Sequence, residues 1–397
     1  MPQTEYCHNL GPEQLSSPEL VTLSPERLYK DNQSYPAYNA RGEWDDLHDK
    51  GELDLIWGCA DARLILPANA FYLRSIAAAG TREPFIPLLQ FCRGVTVVAH
   101  YDGETALPGV RPNGCGGQDG KAHLEKNGNY DPHIHKGDIT EFVHNLVTHE
   151  DPVLNAVVTA SQIARYTDTP TTALAQDHLT GKNKVLAVYS DRGRSVNSCI
   201  PIEQMIKAMT QNSYDPEAVY AEGVPALDTG SIPEFIAELL ERKERVLRGI
   251  NSAIPNLPSY QKIQNPHTLL ISTDPRPAKV KYPNTFGFPN QVFALRGPRM
   301  YHQDRGFQIN EPAIAEITQQ AQYAVTHALE HAQQPGSSFS TLRNIFVETR
   351  HPDSSEAIIQ SLLSKPWMQD FLALPHAQIL SGIIDQGILQ DCQKITV

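Results

Sequence analysis

The sequence predicts an α/β fold built from two similar repeats, each a mostly parallel sheet flanked by helices. Three observations support this prediction. Short apolar runs at 53–57 and 95–99 have the length and composition of buried strands. Segments with helical patterns separate the runs, and such alternation is typical of parallel sheets. Comparable segments recur in the second half of the chain, which indicates an internal repeat.

Three domains follow from this pattern. Residues 1–50 are rich in Pro, Asn, Tyr and charge, and we expect them to form an arm. Residues 51–225 form the first predicted repeat, and residues 226–397 form the second. In the first repeat, helices are predicted over 84–93, 152–166 and 171–179, and a further strand over 185–189. In the second, helices are predicted over 232–250, 321–331 and 364–374, and strands over 268–271, 344–347 and 377–384.

Composition excludes several classes of protein. The chain has 397 residues, 40% of them hydrophobic, which is enough for more than one core. No apolar run reaches the roughly 20 residues that span a bilayer, so no membrane segment is expected. A formal charge of -12 disfavours nucleic acid as a partner. The N-terminus lacks the features of a secretory signal, and six cysteines do not suggest a disulfide scaffold, so a cytoplasmic location is expected.

Candidate metal ligands follow the predicted strands. Cys59, Asp61 and Arg63 occupy alternate positions after the first strand, His100 ends the second, and Cys115 follows a short loop. The carboxyl ends of parallel strands are the usual place for an active site. Two thiolates and an imidazole form a three-ligand zinc set that leaves one tetrahedral position open. The same residues also have a purely structural interpretation. A cysteine at the end of a strand suits a buried apolar site, and an Asp-X-Arg pair suits a structural ion pair.

The second repeat carries a degenerate version of this pattern. Ser272 stands where Cys59 stands in the first repeat, followed by Asp274 and Arg276, and His351 is expected at the place of His100. A neutral hydroxyl is a poor zinc ligand beside a thiolate, so one zinc ion per chain is predicted. The His133-X-His135 pair offers two further imidazoles, although its neighbours Pro132 and Gly137 suggest an exposed loop.

The Cys-X-Asp-X-Arg motif, with the downstream His and Cys-Gly-Gly, resembles the β-class carbonic anhydrases. The resemblance extends weakly through both halves from about residue 51. It implies that the two β-carbonic-anhydrase-like repeats form a pseudo-dimer within one chain, an arrangement similar to that of the carboxysomal shell carbonic anhydrases. It assigns the zinc ligands to Cys59, His100 and Cys115, and a catalytic Asp-Arg dyad to Asp61 and Arg63.

The activity implied by the resemblance is the reversible hydration of CO2 to bicarbonate by attack of a zinc hydroxide. Asp61 would accept a hydrogen bond from the hydroxide, and Arg63 would hold Asp61 ionised. Two alternatives stay open: a hydrolase of carbonyl sulfide or carbon disulfide, and a non-catalytic zinc-binding assembly or regulatory protein. The arm is compatible with homo-oligomers of pseudo-dimers, and the carboxysomal analogy also allows a location within a microcompartment.

The spacing of the ligands departs from the usual His-X-X-Cys of the family. Here 15 positions separate His100 from Cys115, and Gly103 occupies the expected cysteine position. The intervening 101–114 segment is rich in Gly and Pro, so we expect it to fold back and return Cys115 to the metal. The same insertion is expected to reshape the substrate entrance.

Overall fold

The structure is a computed structural model of the chain. It describes residues 24–26, 53–61, 64, 71–78, 92–103, 106–115, 151–166, 169–177, 182–190, 195–211, 213–228, 268–273, 293–295, 311–332, 342–385 and 388–396. The chain divides into two compact units. The N-terminal unit comprises residues 42–59 and 70–248, and the C-terminal unit comprises 1–41, 60–69 and 249–397. Apart from 24–26, the predicted arm lies outside the described residues, and the domain boundaries at 50 and 225 remain predictions.

A six-stranded sheet forms the centre of the N-terminal unit. Its order is β2-β1-β3-β4-β5-β6, and the four strands from β2 to β4 are parallel while β5 and β6 are antiparallel to their neighbours. The strands are β1 (Leu53–Cys59), β2 (Phe71–Ser75), β3 (Cys92–Tyr101), β4 (Thr171–Asp177), β5 (Asn183–Ser190) and β6 (Ser195–Ser198). Strands β1, β3 and β4 are buried almost throughout because they lie inside the sheet.

One predicted helix of this unit is a strand. The segment 171–179 was expected to be helical, but Thr171–Asp177 is strand β4, and all seven of its residues are buried. Its Ala and Leu residues favour a helix intrinsically. Strand β3 pairs with it on one side and β5 on the other, so the hydrogen bonds of the sheet outweigh that weak local preference.

Helices flank this sheet. The predicted helix over 152–166 is confirmed as α1 (Pro152–Tyr166), which packs against β3 and β4. Two further helices, α2 (Ile202–Gln211) and α3 (Pro216–Val219), follow the sheet. The segment 84–91, expected to be helical, lies outside the described residues, and Cys92 and Arg93 of that prediction belong to β3.

A five-stranded sheet forms the centre of the C-terminal unit, in the order β11-β10-β9-β7-β8. The four strands from β8 to β10 are parallel, and β11 is antiparallel to β10. The strands are β7 (Thr268–Ser272), β8 (Phe293–Leu295), β9 (Asn344–Thr349), β10 (Gln378–Asp385) and β11 (Ile388–Lys394). The helices are α4 (Glu311–Ala332), α5 (Pro352–Leu363) and α6 (Pro366–Leu372). The helix predicted over 232–250 lies outside the described residues.

The two sheets share one connectivity. Read as β2-β1-β3-β4-β5 and as β8-β7-β9-β10-β11, both place the first strand of the unit second and reverse direction only at the fifth strand. The mixed α/β class with two mostly parallel sheets is therefore observed, while the origin of the two halves by duplication remains a proposal. Among the described residues, no helix is long and apolar enough to cross a membrane.

Candidate metal centre

Cys59 is the last residue of β1 and is 6% exposed. Its backbone carbonyl accepts a 3.0 Å hydrogen bond from Nε of Arg74, which lies on the neighbouring strand β2 and is 1% exposed. The bond fixes the backbone of Cys59 from a buried side chain of the neighbouring strand. Sequence reasoning missed Arg74, because its position one strand away from Cys59 becomes evident only once β1 and β2 are paired.

His100 lies near the carboxyl end of β3 and is 1% exposed. Strand β3 pairs with β1 directly, so its end and the end of β1 meet at the same edge of the sheet. The Nε2 atom of His100 is buried and makes no hydrogen bond in the described part of the chain. An imidazole nitrogen in this state suits coordination of a metal ion.

The loop over 101–114 folds back on itself, as the sequence predicts. The backbone N–H of Asp102 donates a 2.7 Å hydrogen bond to the carbonyl of Asn113, which joins the two ends of the loop. Gly114 then turns the chain with φ +116°, and a Cβ there would lie 2.7 Å from the Asp102 nitrogen. Only glycine fits this close crossing. The next residue, Cys115, is thereby returned to the sheet edge and is 2% exposed.

Cys59, His100 and Cys115 converge into one buried cluster, referred to below as the Cys-His-Cys cluster. Their ligand atoms all lie within 4.8 Å of one another, and the two sulfur atoms are 4.0 Å apart. Tetrahedral zinc with 2.3 Å bonds to sulfur holds two sulfurs about 3.8 Å apart, whereas a disulfide bond is about 2.05 Å long. The observed separation therefore fits two ligands of one metal ion, and the cluster is able to hold a metal.

A small cavity lies against the Cys-His-Cys cluster. Apart from the cluster and Asn155, its lining is apolar: Ala77, Ala78, Val98, Ala99, Pro152 and Ala156. Two of these, Ala77 and Ala78, have left-handed backbone angles, with φ of 55° and 52°. Such angles cost a non-glycine residue roughly 1–2 kcal/mol, and the Ala77 carbonyl is held by the Asn155 side-chain amide at 3.3 Å. The wall of the cavity is thus fixed in a strained form.

The proposed catalytic dyad is described only in part. Asp61 follows β1 by two residues and is 8% exposed. Its carbonyl accepts a 3.1 Å hydrogen bond from the N–H of Leu64. Arg63, like Asp274, Arg276, His133 and His135, lies outside the described residues.

The C-terminal unit lacks the cluster at the matching positions of its sheet. Ser272 ends β7 as Cys59 ends β1, and Ser272 pairs with Glu348 on β9. Since Gly58 pairs with Val98, the partner position of Cys59 is Ala99, so Glu348 matches Ala99 and Thr349 matches His100. The expectation that His351 takes the place of His100 is therefore wrong. His351 lies two residues further on, exposed, at the start of α5.

The other described cysteines stand apart from the Cys-His-Cys cluster. Burial raises the pKa of the thiols of Cys92, Cys199 and Cys392 to about 12, from an ordinary value of 9.0. Nearby carboxylates, Asp54 for Cys92 and Asp391 for Cys392, act in the same direction. These thiols therefore remain protonated at neutral pH, in contrast to what a metal ligand requires.

Fold and site together define a mixed α/β protein with a buried cluster of two cysteines and one histidine that is able to hold a metal ion. No protein-family model matches the chain, and no curated protein matches it. One similar solved structure is described as that of two tetrameric β-carbonic anhydrases from the filamentous ascomycete Sordaria macrospora. The sequences are 14% identical, and the match covers 43% of this chain and 92% of that chain with a TM-score of 0.22.

Proposed function

We propose that this protein is a zinc-dependent enzyme that interconverts CO2 and bicarbonate. The observation that carries the proposal is the convergence of Cys59, His100 and Cys115 beside a small, mostly apolar cavity. The three residues come from separate parts of the chain, and a folded-back loop is needed to bring in the third. A buried thiol pair alone would not require a histidine at the same point.

Zinc is the proposed metal because of the donor set. Two thiolates and one imidazole form a mixed sulfur and nitrogen set that zinc accepts in tetrahedral geometry. The proposed stoichiometry is one ion per chain, since Ser272 and Thr349 stand at the matching positions of the C-terminal unit. When bound, zinc with three protein ligands supplies a Lewis acid and a water of lowered pKa at its fourth position.

The residues of the chain select and confine the substrate. The alanines, the valine and the proline of the cavity wall offer no charged group, so they suit a small uncharged molecule such as CO2. Arg74 and the turn at Gly114 hold the two thiolates in place. In this proposal Asp61 orients the attacking water by accepting a hydrogen bond, and Arg63 keeps Asp61 ionised.

The apolar wall also supports a second candidate function. Carbonyl sulfide and carbon disulfide are linear, uncharged analogues of CO2, and the same chemistry would hydrolyse them. A metal held only for structure is the non-catalytic alternative, and it requires a closed fourth position.

The testing experiment measures zinc content and stopped-flow CO2 hydration on the same preparations of the full chain. Wild type is compared with Cys115→Ser, and Cys199→Ser is the matched control because Cys199 belongs to the same unit but not to the cluster. We expect about one zinc per wild-type chain, activity that rises between about pH 7 and 9, and loss of both in Cys115→Ser alone.

Each other outcome contradicts part of the proposal. Wild-type zinc without CO2 hydration would redirect the assay to carbonyl sulfide and carbon disulfide, and inactivity on all three would leave a structural metal. Normal zinc binding by Cys115→Ser would remove Cys115 from the ligand set.

A further inference from the structure

A fully buried carboxylate precedes the helix whose start lines the cavity beside the Cys-His-Cys cluster. Asp151 is 0% exposed and precedes α1. Its Oδ1 atom accepts hydrogen bonds from the backbone N–H groups of Val153 at 2.9 Å and Leu154 at 3.1 Å, which caps the helix. Its Oδ2 atom accepts hydrogen bonds from the hydroxyls of Tyr214, at 2.6 Å, and Tyr220. One oxygen therefore holds the helix, and the other holds a different segment.

The two tyrosines flank α3 and are held together. Asp215 caps this short helix by accepting from the N–H groups of Glu217 and Ala218. The rings of Tyr214 and Tyr220 meet edge to face, with centroids 6.5 Å apart. Burial and the Asp151 carboxylate raise the pKa of Tyr220 well above 10.0, so its hydroxyl remains a donor. The 214–220 segment is thus tied firmly to Asp151.

The same segment holds the loop that carries Cys115. The carbonyl of Tyr220 accepts a 2.7 Å hydrogen bond from the N–H of Gly109, near the middle of the loop. Burial raises the pKa of Asp151, and the positive charge of Arg111, two residues after Gly109, opposes that rise. The loop is therefore connected to Asp151 through Tyr220.

Helix α1 connects Asp151 to the cavity. Pro152, Asn155 and Ala156, all near its N-terminal end, line the cavity beside the Cys-His-Cys cluster. Asp151 thus fixes the start of the helix that forms one wall and, through Tyr220, the loop that delivers the third ligand.

We propose that Asp151 and Tyr220 are positioning residues of the metal centre, which hold the Cys115 loop in register with the first turn of α1. The inference rests on the proposed function for its metal and adds to it the residues that keep the widely spaced third ligand in place. Removal of the Tyr220 hydroxyl lets its carbonyl move away from Gly109, and the loop then loosens around Cys115.

The test compares Tyr220→Phe with Tyr214→Phe in the full chain. Each variant removes one hydroxyl from the same carboxylate oxygen, but the bond to the loop comes from Tyr220. Two readouts are used: affinity for Co²⁺, followed by thiolate-to-metal absorption, and the rate at which iodoacetamide labels Cys115 in metal-free protein, followed by mass spectrometry.

We expect Tyr220→Phe to bind Co²⁺ about tenfold more weakly, the lower end of the effect of residues that orient metal ligands, and to label severalfold faster at Cys115. Tyr214→Phe is expected to match wild type in both. If Tyr220→Phe and Tyr214→Phe behave alike, whether both match wild type or both depart from it, the inference is overturned.

The labelling arm separates the two proposals. If wild type binds no Co²⁺, the metal function fails, and the labelling rates alone decide whether Tyr220 holds the loop. Should Tyr220→Phe not fold, Asp151→Asn weakens the acceptor of the Tyr220 hydroxyl from the other side and is expected to give the same labelling increase. An unchanged rate in that variant overturns the inference.

Discussion

The two units share one sheet connectivity but carry different residues at the carboxyl ends of the matching strands. In the N-terminal unit, Cys59 ends β1 and His100 lies one residue before the end of β3, while Ser272 and Thr349 end β7 and β9 of the C-terminal unit. The C-terminal positions are as buried as their counterparts, with Ser272 at 1% and Thr349 at 0% exposure. The comparison teaches that this sheet connectivity occurs both with and without the Cys-His-Cys cluster. In the proposed function, the chemistry therefore belongs to three side chains placed on the scaffold.

The largest expected effect comes from making the N-terminal unit resemble the C-terminal one. Cys59→Ser reproduces the residue found at Ser272 and removes a thiolate, so we expect zinc affinity to fall by at least about 100-fold. Competition with a chromophoric chelator measures it. The reverse change, Ser272→Cys, is expected to add no second zinc, because Glu348 and Thr349 occupy the positions beside it. Two zinc ions per chain in Ser272→Cys would show that the C-terminal unit completes a metal site despite Glu348 and Thr349.

A smaller effect is expected from adding one methyl group to each unit. Gly114→Ala places a Cβ 2.7 Å from the Asp102 nitrogen at φ +116°, and Gly382→Ala places one 2.5 Å from the ring of Phe346. Both are expected to lower the free energy of unfolding by about 1–3 kcal/mol. Only Gly114→Ala is expected to weaken zinc binding as well. Urea unfolding and zinc titration give the two values, and equal zinc affinity in both variants would mean that the loop does not set the position of Cys115.

The smallest expected effect concerns the starts of helices α1 and α5, one in each unit. Asp151 caps α1 from a buried site, whereas His351 begins α5 exposed and without a side-chain cap bond. Burial raises the pKa of Asp151 above 3.8, so the folded state binds this proton more tightly than the unfolded state does. That contribution to stability is present below pH 3.8 and is lost as the pH rises through the raised value.

Asp151→Asn, which has no such titration, is therefore expected to gain stability relative to wild type as the pH rises from about 4 to 8. Asn accepts the cap hydrogen bonds about as well as Asp does, so the cap itself is not expected to contribute to this difference. His351→Ala is expected to change stability by less than about 0.5 kcal/mol. Chemical unfolding at several pH values tests both variants. If wild type became more stable relative to Asp151→Asn as the pH rises, the raised pKa of Asp151 would be contradicted.

Much of the scaffold could be predicted because apolar runs identify buried strands without knowledge of their partners. Strands β1, β3, β7 and β9 were identified in this way. The error at β4 shows the limit: its residues fit a helix locally, and only pairing with β3 and β5 decides the matter. The short edge strand β6 carries too weak a pattern to be recognised.

The site was predictable to a similar extent. Cys59, His100 and Cys115 were named from residue type and position at strand ends, and the structure brings them together; their role as ligands remains a proposal. Arg74 and Tyr220 were missed because they act across strands or loops. Asp151 did leave a signal, since Asp followed by Pro is a typical helix start.

The hydrogen bond between Asp102 and Asn113 has a consequence for recognising such sites in other chains. It closes the loop at its base, so the chain returns to the sheet edge at Cys115 although 15 positions separate Cys115 from His100. In other chains, loops of other lengths that are closed at the base in the same way would bring a cysteine back to the same edge. A search pattern that fixes the interval between histidine and cysteine would overlook every such protein, whereas one that requires a closing pair followed by Gly-Cys would retain them.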